Sequence, residues 1–216
     1  MKPASSTPTA ILLIDIQKAF QHPTQWGLER STPDFENNIA NIIQAARVYN
    51  NGLTEPLSGP VINPIHIIHI HHHSSSPDSA LHPSAKVPGT DSPGIEPLDC
   101  AAPLHTEPVV IKNVNSAFIG TNLEARLRAL KVRQLIIAGL TTDHCVSTTT
   151  RMAANLHVLG EEAGTDGNGI FVIQDGTATF AKGGFDAETI HAVNLASLNG
   201  EFASIITTKS AMKALF

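Results

Sequence analysis

Six short apolar runs alternate with longer stretches whose apolar residues recur at helical spacing, and this alternation constrains the chain more than any other feature. The runs are Ala10 to Ile14 (AILLI), Val61 to Ile70, Val109 to Ile111, Leu135 to Ala138 (LIIA), Phe171 to Ile173 and Ala203 to Ile206. A short continuous apolar run reads as a strand buried on both faces. Between them, residues 33–49 place Ile39, Ile42, Ile43 and Ala46 on one stripe, as a core-facing helix does. Asn122 to Leu130, Asp143 to Leu156 and Ala187 to Leu198 read as helices too. Strands that alternate with helices pair in parallel, because parallel neighbours need a crossover. The expected fold class is therefore α/β, a three-layer α/β/α sandwich. Ligands in such sheets bind beyond the carboxyl ends of the strands. That rule directs attention to Asp15, His71 to Ser74, Lys112, Gly139 to Cys145 and Asp175.

Composition narrows the class. The 216 residues suit one domain spanning 1–216. A net charge of −5 leaves no basic footprint for nucleic acid. The apolar runs are far shorter than the roughly 18 residues a membrane span needs. Residues 1–9 are polar with one lysine, unlike a secretory signal, so a cytoplasmic location is expected. The two cysteines form no disulfide scaffold and lack zinc-type pairing. Two segments break the alternation. Residues 74–108 are rich in Ser, Pro, Asp and Gly, and so long a connection is usually functional or mobile. Residues 159–169 are Gly-rich, and Glu161, Glu162 and Asp166 would repel phosphate, so they read as a surface excursion.

Chemistry is expected where the runs end. Asp15 ends ILLID and serves either as a site carboxylate or as a loop acid. Lys112 follows VVI and projects at the same edge, which pairs its charge with Asp15. Cys145 lies in AGLTTDHCVSTTT, where a strand ends, Gly139 permits an unusual turn, and a helix begins near Asp143. Free N–H groups and the dipole at a helix start stabilise a thiolate, and a nearby lysine lowers the thiol pKa further. The competing reading is an inert buried cysteine. His144 is rejected as its base, since helix neighbours point about 100° apart. In INPIHIIHIHHHS, side-chain alternation sets His72 on one face and His69, His71 and His73 on the other. That cluster is open between a metal site and the lining of a polar pocket, with His72 the preferred substrate contact. Cys100 reads as structural or incidental. Phe20, Trp26 and Phe118 flank the site segments as pocket walls or as core.

The segments ILLIDIQKAF, VIKNVNSAFIGTNLEARLRAL and LIIAGLTTDHCVSTTTRMAANL, in that order, resemble the isochorismatase-like cysteine hydrolases. The resemblance runs from residue 10 to about residue 206. It implies a six-stranded parallel sheet with helices on both faces, and Asp15, Lys112 and Cys145 as a catalytic triad. It also implies a cis peptide at Leu140–Thr141, which turns the Thr141 N–H toward the site, with the N–H groups of Thr141 and Cys145 as an oxyanion hole. Leu140 joins Phe20, Trp26, His72 and Phe118 as an expected substrate contact. Nicotinamidases of this family carry an Asp-x-His pair after the second strand. Here that stretch reads His72, His73, Ser74, so no metal and no cofactor are expected. The implied function is hydrolysis of a small amide, ureide or carbamoyl substrate through a thioester. The alternatives are an isochorismatase-type vinyl ether hydrolase and a non-catalytic binding protein of the same fold. The expected partners are a small-molecule substrate and a second copy of the chain, as a homodimer or homotetramer, with neither nucleic acid nor membrane.

Overall fold

A computed structural model describes residues 1–27, 29–53, 63–160 and 169–216. Strands β1 (Thr9–Ile14), β2 (Ile65–His72), β3 (Val109–Lys112), β4 (Gln134–Leu140), β5 (Ile170–Ala178) and β6 (Ser204–Ile206) form one sheet in the order β3-β2-β1-β4-β5-β6. Every pairing is parallel. Helices α1 (Phe35–Asn51) and α5 (Thr208–Leu215) cover one face, where Ile39, Ile42, Ile43, Ala211 and Leu215 pack with Ile11, Leu13 and Ile136. Helices α2 (Leu123–Ala129), α3 (Ser147–Asn155) and α4 (Ala187–Leu198) cover the other, where Leu123, Leu127, Ala153 and Leu195 pack with Leu12, Ile14, Ile68 and Ile70. The central strand β1 is buried at every residue, which is why it reads as a continuous apolar run. Among the described residues, no helix is long and apolar enough to cross a membrane.

The structure corrects several boundaries. The helix expected over Asp143–Leu156 is divided: Thr142–Val146 is a π-helical turn, and α3 follows it. β5 runs on to Ala178, past the polar Gln174 and Asp175 that end the apolar run. α5 has no counterpart among the expected elements, and Asp175 caps it, accepting from the Thr208 N–H (2.7 Å) and hydroxyl (2.9 Å). Asp175 therefore does structural work away from the thiol. Residues 74–108 are tied down rather than free: Lys18 N–H donates to Glu96 O, Ala19 N–H to Gly94 O and Leu98 N–H to Ile16 O. Val61, Glu161, Glu162 and Asp166 lie outside the described residues.

Gly139 bears out the unusual turn. Its φ is +129°, and a Cβ there would sit 2.0 Å from the Ile14 carbonyl oxygen of β1. Only glycine allows β4 to approach so closely while the register shifts against β5.

Candidate active site

Four neighbouring strands each deliver one polar side chain to the carboxyl edge of the sheet. Lys112 ends β3 and His72 ends β2, paired in register. Asp15 follows β1 directly, and Cys145 lies in the π turn after β4. Asp15 has φ +51°, a left-handed conformation that aspartate tolerates better than most residues, while its N–H still bonds to Ile70 O (2.9 Å). The chain therefore turns at Asp15 without breaking from β2.

Lys112 is the hub. Its Nζ lies 2.7 Å from Asp15 Oδ2, 3.1 Å from His72 Nδ1, 3.1 Å from Val114 O and 3.3 Å from Cys145 Sγ. An ammonium only donates, so in this contact His72 Nδ1 is the acceptor. His72 Nδ1 is in turn 3.9 Å from Sγ and 3.8 Å from Asp15 Oδ2. The Asp15 and Lys112 side chains are both wholly buried. Such a pair is expensive to desolvate, which offsets much of its Coulombic attraction. Asp15 Oδ1 is buried with no hydrogen-bond partner.

The thiol corrects the expected electrostatics. Burial pushes the Cys145 pKa up, the Asp15 charge pushes it further, and Lys112 only partly opposes them. The resting group is a neutral thiol, because its acid neighbour offsets its base neighbour in a dry site. Cys100 is also raised, to about 11, mainly by burial. Asp15, His72 and Cys145 offer ligand atoms within 4.8 Å of one another. Lys112 Nζ already sits against all three residues, so the cluster holds its own cation, and these residues do not fit a metal.

The turn around the thiol is built from both sides. The Leu140–Thr141 peptide is cis, and Thr141 O accepts from the His144 and Val146 N–H groups. Thr142 Oγ1 donates to His191 Nδ1 (2.8 Å), while His191 Nε2 donates to Gln174 O (3.1 Å), which anchors the turn to α4 and β5. His144 faces solvent and Asp143 rather than the thiol. Phe20 and Trp26 stack on each other (centroids 4.7 Å apart) and on Phe180, beyond the ends of β1 and β5. Phe118 and Leu140 are buried in opposite apolar layers, Phe118 in the same one as Cys145. None of these four makes a polar contact with the cluster.

Sequence reasoning missed three residues that position the site: His191, Phe180 and Gln17. The Gln17 carboxamide clamps His72, accepting from its N–H (2.8 Å) and donating to its carbonyl (3.1 Å) and to Ile95 O (2.9 Å). It substitutes for a strand partner where β1 has already turned away. The signal was its place in ILLIDIQKAF, two residues past the acid.

A three-layer sheet whose edge brings together a buried acid, an ammonium, an imidazole and a thiol defines a class, that of the α/β cysteine hydrolases. Comparison narrows it. The family model for the isochorismatase domain matches residues 9–210. The isochorismatase family protein YrdC of Bacillus subtilis is 37% identical over 204 residues, covering 92% of this chain and 91% of YrdC. The crystal structure of a hydrolase of the isochorismatase family from Chromobacterium violaceum is 33% identical, with a TM-score of 0.78 over 99% of this chain and 96% of that one. A cysteine hydrolase from Pseudomonas syringae shares the fold, with a TM-score of 0.71 at 22% identity, over 99% of this chain and 93% of that one. The chain belongs to the isochorismatase family.

Proposed function

We propose that this protein is a cysteine hydrolase that cleaves a small amide, ureide or carbamoyl substrate through a thioester intermediate, within one domain spanning 1–216. The observation that carries the reading is the buried Cys145 Sγ and Asp15 Oδ2 held on one Lys112 ammonium, at 3.3 and 2.7 Å, with Asp15 Oδ1 left without a partner. In the first step Asp15 takes the thiol proton as Sγ attacks the substrate carbonyl carbon. Lys112, held between Asp15 and Sγ, offsets the negative charge on either as it moves. The N–H groups of Thr141 and Cys145 receive the oxyanion, a contribution commonly worth about 3–4 kcal/mol per donor. Collapse breaks the C–N bond, and Asp15 returns the proton to the leaving amine. Asp15 then deprotonates a water that attacks the thioester, and the thiol is restored. His72, accepting from Lys112, fixes the ammonium and borders the reacting carbonyl. The Phe20, Trp26 and Phe118 side chains supply apolar walls, whereas the Leu140 side chain is wholly buried in the opposite layer.

Retention of the thiol favours acyl transfer over vinyl ether cleavage, which needs no nucleophilic sulfur. The nicotinamidase 3 of Arabidopsis thaliana, 31% identical over 107 residues and covering 50% of this chain and 46% of its own, supports C–N chemistry. Exposed Val109 and Ile111 on edge strand β3, with Val114 and Ile119 just after it, support a homodimer or homotetramer. Screening small amides and ureides for ammonia release tests the reading. The wild type releases ammonia from at least one, and Cys145→Ala from none. Turnover that survives in Cys145→Ala would remove the thiol from the mechanism.

A further inference from the structure

Strand β3 is half the length of its neighbour. It pairs with β2 only from His69 to His72, so Ile65–Ile68 have no strand on that side. Asn50 fills the first place in the gap, its carboxamide donating to Ile65 O and accepting from Ile65 N–H, both at 2.8 Å. Ile67 faces the same way, two residues on. The chain residue that would bond its carbonyl is Pro108, whose own carbonyl accepts from the His69 N–H (2.9 Å) but which has no N–H to give. The ladder therefore stops at Pro108 for a covalent reason.

What is left is a cavity of about 400 Å³ between the end of α1 and helix α2, lined by His66, Leu104, Pro108, Arg126 and Leu130 among others. Arg126 lines this cavity, and its guanidinium makes no ion pair among the described residues. An unpaired guanidinium beside a cavity points to an anion that binds it. The lining carboxylate, Glu107, is already spent. It accepts from Arg47 Nε (2.8 Å) and Nη2 (2.7 Å), from the Leu104 N–H (2.9 Å), and it bonds His69 Nε2 (2.9 Å). With Arg47 cancelled by Glu107, and burial holding His66 toward its neutral form, one positive charge remains among the described lining residues, on Arg126.

We propose that this cavity is a binding site for a small organic monocarboxylate, its carboxylate on the Arg126 guanidinium and its apolar body against Leu104, Pro108 and Leu130. A guanidinium matches a carboxylate bidentately. A dianion such as phosphate would leave one charge uncompensated in a half-apolar cavity. At the cavity's near end Pro108 lies four residues before Lys112, about 13 Å at strand rise, so the site is distinct from the thiol cluster. It stands whether or not the hydrolase reading holds.

Benzoate is the probe, titrated calorimetrically into the full chain. One equivalent binds the wild type. Arg126→Gln weakens it about tenfold or more, and benzamide, which lacks the charge, binds the wild type about tenfold more weakly than benzoate. Leu104→Trp, at an exposed loop position, fills the cavity and abolishes binding while keeping the guanidinium. Both variants unfold thermally like the wild type and alkylate Cys145 at its rate. No benzoate binding up to about 20 mM overturns the proposal. So does wild-type affinity in either variant, which would put the benzoate elsewhere, or tighter binding of inorganic phosphate.

Discussion

Strand β2 carries a buried charged cluster on each face, and the two are built to opposite standards. On the α1 face, His69 meets Glu107, which Arg47 grips with two nitrogens. Burial works against that carboxylate, but hydrogen bonds from Arg47, Leu104 N–H and His69 hold its pKa down at about 2. On the other face, His72 meets Lys112, Asp15 and Cys145. There one ammonium faces four acceptors, a carboxylate oxygen goes unmatched, and a thiol is held protonated. The first cluster is complete, so it fixes where the loop before β3 lies against α1. The second is deficient at the atoms a reaction would use. A buried polar network that satisfies itself rigidifies the fold, whereas one short of a partner keeps an unpaired group at a cost.

The sharpest way to break this contrast is Asp15→Asn. Removing the base lowers turnover about 10²- to 10⁴-fold. It also removes a charge that holds the thiol up, so iodoacetamide alkylates Cys145 faster near neutral pH. Intact turnover with slower alkylation would reverse the roles given to this pair. Lys112→Met strands the Asp15 charge in the interior and destabilises the fold by about 3–5 kcal/mol in urea unfolding. The double variant Asp15→Asn/Lys112→Met regains most of that stability and none of the activity.

On the complete face, Glu107→Gln costs about 1–3 kcal/mol and leaves turnover unchanged. Because folding lowers the Glu107 pKa from 4.5 to about 2, its stabilisation is full above pH 4.5 and disappears as pH falls toward 2. Tm measured across that window falls in the wild type and flattens in Glu107→Gln. The smallest effect concerns His191, a satisfied histidine that supports the deficient face. His191→Leu leaves the Thr142 hydroxyl without its acceptor and lowers kcat by about 1 kcal/mol, close to fivefold, with KM unchanged. His191→Gln can accept from Thr142 and donate to Gln174 O, so it restores kcat.

Much of this was legible before any coordinates. Asp15, Lys112 and Cys145 stand out because each follows an apolar run, and parallel strands present their carboxyl ends together. Alternation alone put His72 on the opposite face from His69 and His71. Its contact with Lys112 was not legible, because it depends on the β2–β3 register. The π turn at Thr142–Val146 was hidden because no residue there signals a widened helix. β5 was underread because the polar Gln174 and Asp175 fall where the register shifts, before Thr177 and Ala178 resume the ladder against Gly139 and Leu140 of β4. The Arg47–Glu107 pair spans 60 residues of sequence and is visible only once the crossover is folded. The direction of the thiol pKa was misjudged for a related reason: a motif shows a helix start but not how deeply the sulfur is buried, nor that the acid presses on it as strongly as the amine.

The missing methyl group at residue 139 has a consequence for how this centre tolerates change. With hydrogen in its place, β4 lies close enough to β1 for sulfur and acid, arriving on separate strands, to share one ammonium. Alanine at 139 would act as a spacer, prising the two strand tips apart while leaving every reacting group intact. An inventory of functional groups would miss that loss, because the reach between them is set by the smallest side chain in the neighbourhood.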